Sequence, residues 1–97
     1  MPTNPSLPEA EHEPTRTRFT VTVPAGTAYL AYRMRSTGVL DAVTTFTPPE
    51  ARGLGLAGIV TRATLDYVRA EGWRVVPSCW YVDGWMARHP EYEDLRA

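Results

Sequence analysis

Between Arg18 and Val23, apolar and polar side chains alternate: Phe19, Val21 and Val23 fall on one side, Thr20 and Thr22 on the other. A period of two is the signature of a half-buried β-strand. Pro24-Ala25-Gly26 then turns the chain. The alternation resumes from Thr27 to Arg35, with Ala28, Leu30, Tyr32 and Met34 opposite Tyr29, Ala31, Arg33 and Arg35. Ser36-Thr37-Gly38 is a second turn, and Val39 to Thr47 a third, β-branched strand ending at Pro48-Pro49. Turns this short join neighbouring strands, so the three form an antiparallel meander.

The period changes after the prolines. From Gly55 to Glu71, Leu56, Ile59, Val60, Ala63 and Tyr67 recur at helical spacing, while Arg62, Asp66 and Arg69 take the opposite side. This predicts an amphipathic helix with one face on a sheet. Gly72 stands where a left-handed C-terminal cap belongs. Trp73 to Pro77 predicts a fourth strand, which completes a β-α-β unit and so runs parallel to the third. Tyr81 to Arg88 predicts a short helix that stops before Pro90, and Glu91 to Leu95 a closing turn. The fold class is therefore α+β: a small mixed sheet of about four strands, an antiparallel meander plus a parallel β-α-β unit, with two helices packed against it.

Composition narrows the picture. A chain of 97 residues makes one small domain with a modest core. Residues 1–15 hold Pro2, Pro5, Pro8 and Pro14 with Glu9, Glu11 and Glu13, and have little to bury. They predict a disordered acidic tail, with the compact domain over 16–97. A net charge of -1 supplies no basic field for nucleic acid. No stretch approaches the roughly 18 apolar residues of a membrane span. The opening residues lack a basic start followed by an apolar run, so no signal peptide is expected. The lone cysteine, Cys79, excludes an intrachain disulfide and a cysteine-built metal site. A cytoplasmic setting without metal, membrane or nucleic acid is the expectation.

The candidate chemistry starts at the head of the long helix, in Arg52-Gly53-Leu54-Gly55-Leu56-Ala57. A helix N-terminus offers unpaired N–H groups and a partial positive charge, and glycines let a ligand approach the backbone closely. By topology, this loop follows the end of the third strand, and Cys79 follows the end of the fourth. An extended ligand with phosphates on the loop would reach toward Cys79 between the two strand ends.

Taken in order, Arg-Gly-x-Gly-Leu-Ala at Arg52 to Ala57, a helix, Val-Val-Pro-x-Cys-x-Tyr at Val75 to Tyr81, and His-Pro-Glu-Tyr-x-Asp-Leu at His89 to Leu95 form a pattern. It resembles the GCN5-related N-acetyltransferase superfamily, and within it the short YjdJ-type branch. The resemblance covers nearly all of the chain after the tail. It implies that acetyl-CoA is the cosubstrate and that an amine, on a protein or a small molecule, accepts the acetyl group. It further implies that Arg52, Gly53, Leu54, Gly55, Leu56 and Ala57 hold the pyrophosphate, that Thr47 flanks the pantetheine arm, and that Tyr81 protonates the departing thiolate. Cys79 either touches the thioester, as acyl acceptor or neighbour, or is a small buried hydrophobe. One departure stands out. Members of this branch often carry His-Thr-Glu-Val where this chain has Thr44-Thr45-Phe46-Thr47, so the strand carboxylate that serves as a base in relatives is missing.

Other residues read more plainly. Trp80 and Trp85 are core or pocket wall. His89 is a proton acceptor or the residue that ends the helix. Tyr92 anchors the closing turn, with the carboxylates of Glu91 and Asp94 in water. Two further functional classes stay open: a non-catalytic acyl-CoA binding module, and a generic α+β interaction domain.

Overall fold

Alternation in the strands becomes a sheet with one apolar face in the computed structural model, which describes residues 8–97. The strand order is β1 (Glu11–Glu13), β2 (Arg18–Val23), β3 (Gly26–Ser36), β4 (Val39–Phe46) and β5 (Arg74–Val76). The first four are antiparallel and β5 runs parallel to β4. The register sets Phe19 against Leu30, Val21 against Ala28 and Tyr32 against Ala42. These side chains join Leu40 and Val75 in a single buried cluster.

Helix α1 (Leu56–Glu71) connects β4 to β5 and covers that face. It ends where Gly72 N–H reaches Arg69 C=O and Trp73 N–H reaches Val68 C=O, which satisfies those two carbonyls of its last turn. Helix α2 (Trp80–Arg88) and a 3₁₀ turn at Pro90–Leu95 add Val82, Trp85, Met86, Tyr92 and Leu95 to the same core. Val60, Leu65 and Val68 of α1 are fully buried. Each is worth roughly 1.5–3 kcal/mol by transfer, so truncating Leu65 would loosen the helix more than any surface change on it. No helix among the described residues is long and apolar enough to cross a membrane.

The structure departs from the sequence expectations in three places. The sheet has five strands, because Glu11–Glu13 pairs with Arg18–Thr20 along the edge of β2. Disorder was expected over residues 1–15; residues 1–7 lie outside the described residues, and Pro8 onward is placed. His12 explains the docking. Its ring stacks on Phe19 at 4.2 Å and meets the Tyr32 hydroxyl at 2.6 Å, while Glu13 pairs with Arg18. The stabilising surface belongs to the neighbouring strands, so the tail's own composition does not reveal it.

The buried face of α1 is also rotated from the predicted stripe. It consists of Leu56, Val60, Thr61, Thr64, Leu65 and Val68. Ile59, Ala63 and Tyr67 lie half-buried on its flank. Thr64 Oγ1 donates to Val60 C=O at 2.7 Å, which lets a hydroxyl sit in the core. Lastly, the two tryptophans divide: Trp85 is core, but Trp80 is 84% exposed.

Candidate functional site

The gap between β4 and β5 organises the site. On its β4 side, β5 pairs with Val39, Leu40 and Asp41, and on its other side Val75 bridges Arg96. One more contact closes the junction, Cys79 N–H to Ala42 C=O at 2.9 Å. Beyond it β4 continues to Phe46 with β3 alone as its partner. The register there skips Val43, since Ala31 faces Thr44 while Tyr32 faces Ala42. Such a bulge bends the strand and disturbs its hydrogen-bond ladder. Alternate backbone groups of β4 past Ala42 therefore face the opening that β5 leaves, as on any sheet edge.

The loop after β4 is stiff. Thr47 leads into Pro48 and a 3₁₀ turn at Pro49–Ala51, with Ala51 fully buried as its anchor. Pro48 lies against Gly26, so close that a Cβ there would meet Pro48 Cγ at 3.0 Å. Arg52 Nε reaches back to Thr47 C=O at 3.4 Å, tying the ends of the loop.

Gly53 and Gly55 both have positive φ, 84° and 77°. A Cβ at either would meet nothing within 4 Å, so the backbone conformation is what calls for glycine here. Gly55 is the N-cap of α1, and no side chain caps the helix. No acidic residue lies in the first turn. The N–H groups at the head of this 16-residue helix are thus left to an outside acceptor, with no carboxylate of the first turn opposing an anion. Leu54 is exposed, while the Leu56 side chain drops into the core and leaves only its backbone at the loop.

At the other strand end, Cys79 is the N-cap residue of α2 and is 8% exposed. Its Sγ lies 3.7 Å from Thr45 Oγ1, on the helix side of the sheet, because Thr45 pairs with buried Leu30. Tyr81, two residues beyond Cys79, is half-buried. Its hydroxyl lies 3.7 Å from where a Cβ on Gly58 would stand, and Trp85 Nε1 lies 3.5 Å from the same point. Burial raises the Tyr81 phenol above its ordinary value of 10.0; Arg88 opposes the shift and Cys79 adds to it. Tyr81 therefore keeps its proton at neutral pH and is equipped to donate it.

Tyr81 thus sits with Gly58, within one turn of the Gly55 cap, at the corner where α1 meets α2. A cavity of about 480 Å³ opens from it between α1, α2 and Pro8–Ala10, lined by Gly55, Gly58, Ile59, Arg62, Trp85 and His89 among others. His89 ends α2: its Nδ1 meets Trp85 C=O at 2.7 Å and its ring stacks on the indole at 3.7 Å. Tyr92 anchors the closing turn by donating to Asp66 Oδ1 at 2.6 Å, and it accepts from Arg62 at 3.1 Å. Asp94 pairs with Arg69 at the surface. Among the described residues, no group of three or more His, Cys, Asp or Glu side chains could hold a metal ion.

Gly58 escaped the sequence reading. Its signal was there, since glycine inside a helical run costs up to about 1 kcal/mol against alanine and calls for a packing reason. Asp41 escaped too, and no pattern in the strand marks it.

Comparison with known proteins bears on the whole chain. The sequence model of the GCN5-related N-acetyl-transferase family matches residues 18–95. Protein NATD1 of Bos taurus is 30% identical over 95 residues, covering 90% of this chain and 84% of its own. Protein NATD1 of Homo sapiens is 30% identical over 82 residues, covering 82% of this chain and 73% of its own. The NMR structure of a GCN5-like protein of Staphylococcus aureus superposes with a TM-score of 0.68 at 15% identity, covering 92% of this chain and 87% of that one.

Proposed function

The chain belongs to the GCN5-related N-acetyltransferase family, and from that premise we propose that it transfers an acetyl group from acetyl-CoA to an amine. The observation that carries this reading is the corner itself. An uncapped helix N-terminus with two left-handed glycines lies beside a protonated tyrosine and the open end of a strand pair. We read the chain as a short YjdJ-type member, on the Cys79–Tyr81 and His89–Leu95 motifs. Its single, unpaired cysteine suits a cytoplasmic setting.

Acetyl-CoA supplies an activated thioester; the remaining work falls to the chain. The backbone from Arg52 to Ala57 holds the pyrophosphate, with the Arg52 guanidinium beside it. Thr47 and the free edge of β4 flank the pantetheine arm. A backbone N–H near the Val43 bulge donates a hydrogen bond to the carbonyl oxygen as its negative charge develops. The amine nitrogen bonds to the carbonyl carbon and gives up a proton to water, the C–S bond breaks, and Tyr81 protonates the sulfur. In a two-step variant Cys79 Sγ takes the acetyl group first and then yields it to the amine.

A second reading, a non-catalytic acyl-CoA binding module, is favoured by one observation. The strand position where relatives often carry a base holds Phe46, packed beside Tyr29 at 5.6 Å between ring centroids. One experiment separates the readings. The protein is incubated with acetyl-CoA and a panel of amines while free thiol and intact mass are followed. Thiol release that depends on the amine supports transfer. Tight CoA binding without release leaves the module. A Cys79→Ala protein at full rate eliminates the two-step variant and keeps direct transfer.

A further inference from the structure

We propose that Asp41 anchors a non-reacting ammonium group of a polyamine acceptor, with Arg33 holding that place until the polyamine arrives. The inference rests on the acetyl-transfer reading and adds to it the residue that recognises the acceptor: one ammonium sits on Asp41 while a second, neutral amine of the same molecule reacts.

Among the described residues, Asp41 is the one buried acidic side chain, only 1% exposed. It is under-partnered. Arg33 Nε reaches Oδ2 at 3.3 Å through a single contact, and Oδ1 has no hydrogen-bond partner among the described residues. A buried carboxylate oxygen without a donor is costly, and a ligand that brings donors recovers the cost. Arg33 covers the carboxylate without gripping it. The forked two-bond geometry that makes arginine–carboxylate pairs strong is absent, and the Arg33 side chain is 70% exposed. An ammonium, compact and carrying three rotatable donors, can take both oxygens once the guanidinium swings into solvent.

The location couples this carboxylate to the reaction. Asp41 pairs with Val76 at the last step before β4 and β5 separate, and the next residue, Ala42, accepts the Cys79 N–H. Leu40 and Ala42 point into the core, so Asp41 points to the other face of the sheet. Arg33 pairs with Asp41 there, on the face that also carries Tyr29 and Phe46. Cys79 Sγ lies on the helix side, against Thr45. A thioester lying in the gap would have Cys79 and Tyr81 on one side and Asp41 on the other. Among the described residues the helices α1 and α2 pack into the core with Leu40 and Ala42, so on Asp41's face a polyamine reaches the buried carboxylate where the exposed Arg33 side chain moves aside.

The test is an NMR titration of the ¹⁵N-labelled full chain with spermidine, using 1-butanol as the uncharged control. Spermidine should shift the Asp41, Ala42 and Val76 amides, and 1-butanol should not. Asp41→Asn should weaken spermidine binding about tenfold or more, because the charge is lost while the shape stays. Arg33→Ala should tighten it by removing the competitor. Equal spermidine binding in wild type and Asp41→Asn overturns the proposal, as do shifts confined to other faces. If Asp41→Asn does not fold, Arg33→Ala decides alone: tighter binding supports the site and unchanged binding overturns it. Acetyl transfer adds an independent readout. Asp41→Asn should raise KM for spermidine while the Kd for CoA stays fixed, and transfer indifferent to Asp41→Asn refutes the site. Spermidine bound at Asp41 without transfer to any amine would uphold the site and defeat the acetyl-transfer reading.

Discussion

Replacing Gly58 with alanine adds one methyl group at the corner where α1 meets α2. The new Cβ would lie 3.5 Å from Trp85 Nε1 and 3.7 Å from the Tyr81 hydroxyl, which is ordinary contact without collision. Gly58 is the third residue of α1 and helical, so the substitution also gains helix propensity. Inside a helix that gain is about 0.8–1.0 kcal/mol. The first turn realises part of it, so about 0.5–1 kcal/mol is expected here. For a domain of this size the midpoint should rise by roughly 2–8 °C. Activity should move the other way. The methyl occupies the space in front of the Tyr81 hydroxyl, where the proposed mechanism brings the departing sulfur. Displacements of about 1 Å in a reacting geometry cost up to ~10²-fold, so a kcat lower by tenfold or more is expected. Circular dichroism melts and a thiol-release assay measure both. A lower melting temperature would show that the Trp85–Tyr81 packing has no room, against the contact distances. A higher melting temperature with unchanged kcat would remove Tyr81 and Gly58 from the reacting corner.

Three further outcomes are expected. Tyr81→Phe should keep the melting temperature and lower kcat by ~10²–10⁴, the usual worth of a general acid; because burial raises the phenol above 10.0, the wild-type kcat should fall only above pH 10, and the variant should lack that limb. Asp94 is held below its ordinary 3.8, chiefly by the Arg69 hydrogen bond. Its contribution to stability is therefore present above that value and is lost as pH falls through the folded-state value, so the melting-temperature gap between wild type and Asp94→Asn should close in acid. His12 is lowered from 6.5 by burial against Phe19 and Tyr32. The neutral ring is the docked form, so β1 should hold firmly above pH 6.5 and loosen as pH falls below it, seen as faster hydrogen exchange at the Glu11–Thr20 and Glu13–Arg18 pairs.

Much of the fold was legible because its causes are local. The alternation in Phe19–Val23 and Ala28–Met34 needs only neighbours two residues apart, and the structure pairs those stretches. The loop at Gly53 and Gly55 was legible for the same reason, since positive φ is a property of the residue that adopts it. Trp80 was misread because a large aromatic in sequence carries no address; α2 turns its Trp85 side inward and leaves Trp80 outside. Thr61 and Thr64 were passed over as polar, yet α1 is covered broadly enough to bury both, Thr64 with its hydroxyl on the helix backbone.

By itself the sequence determined the order of elements, the antiparallel meander, the parallel return through α1 and the glycine loop at its head, together with a motif pattern that pointed to the family. Those follow from periodicity, turn chemistry and spacing, which act within a few residues along the chain. Tertiary structure alone decided the rest. It parted β4 from β5 after Asp41, brought Tyr81 against Gly58 and docked Glu11–Glu13 on β2. It also buried Asp41 with one oxygen unpaired. Each of these depends on what a distant segment presents across the contact, and neither partner carries that information in its own stretch of sequence.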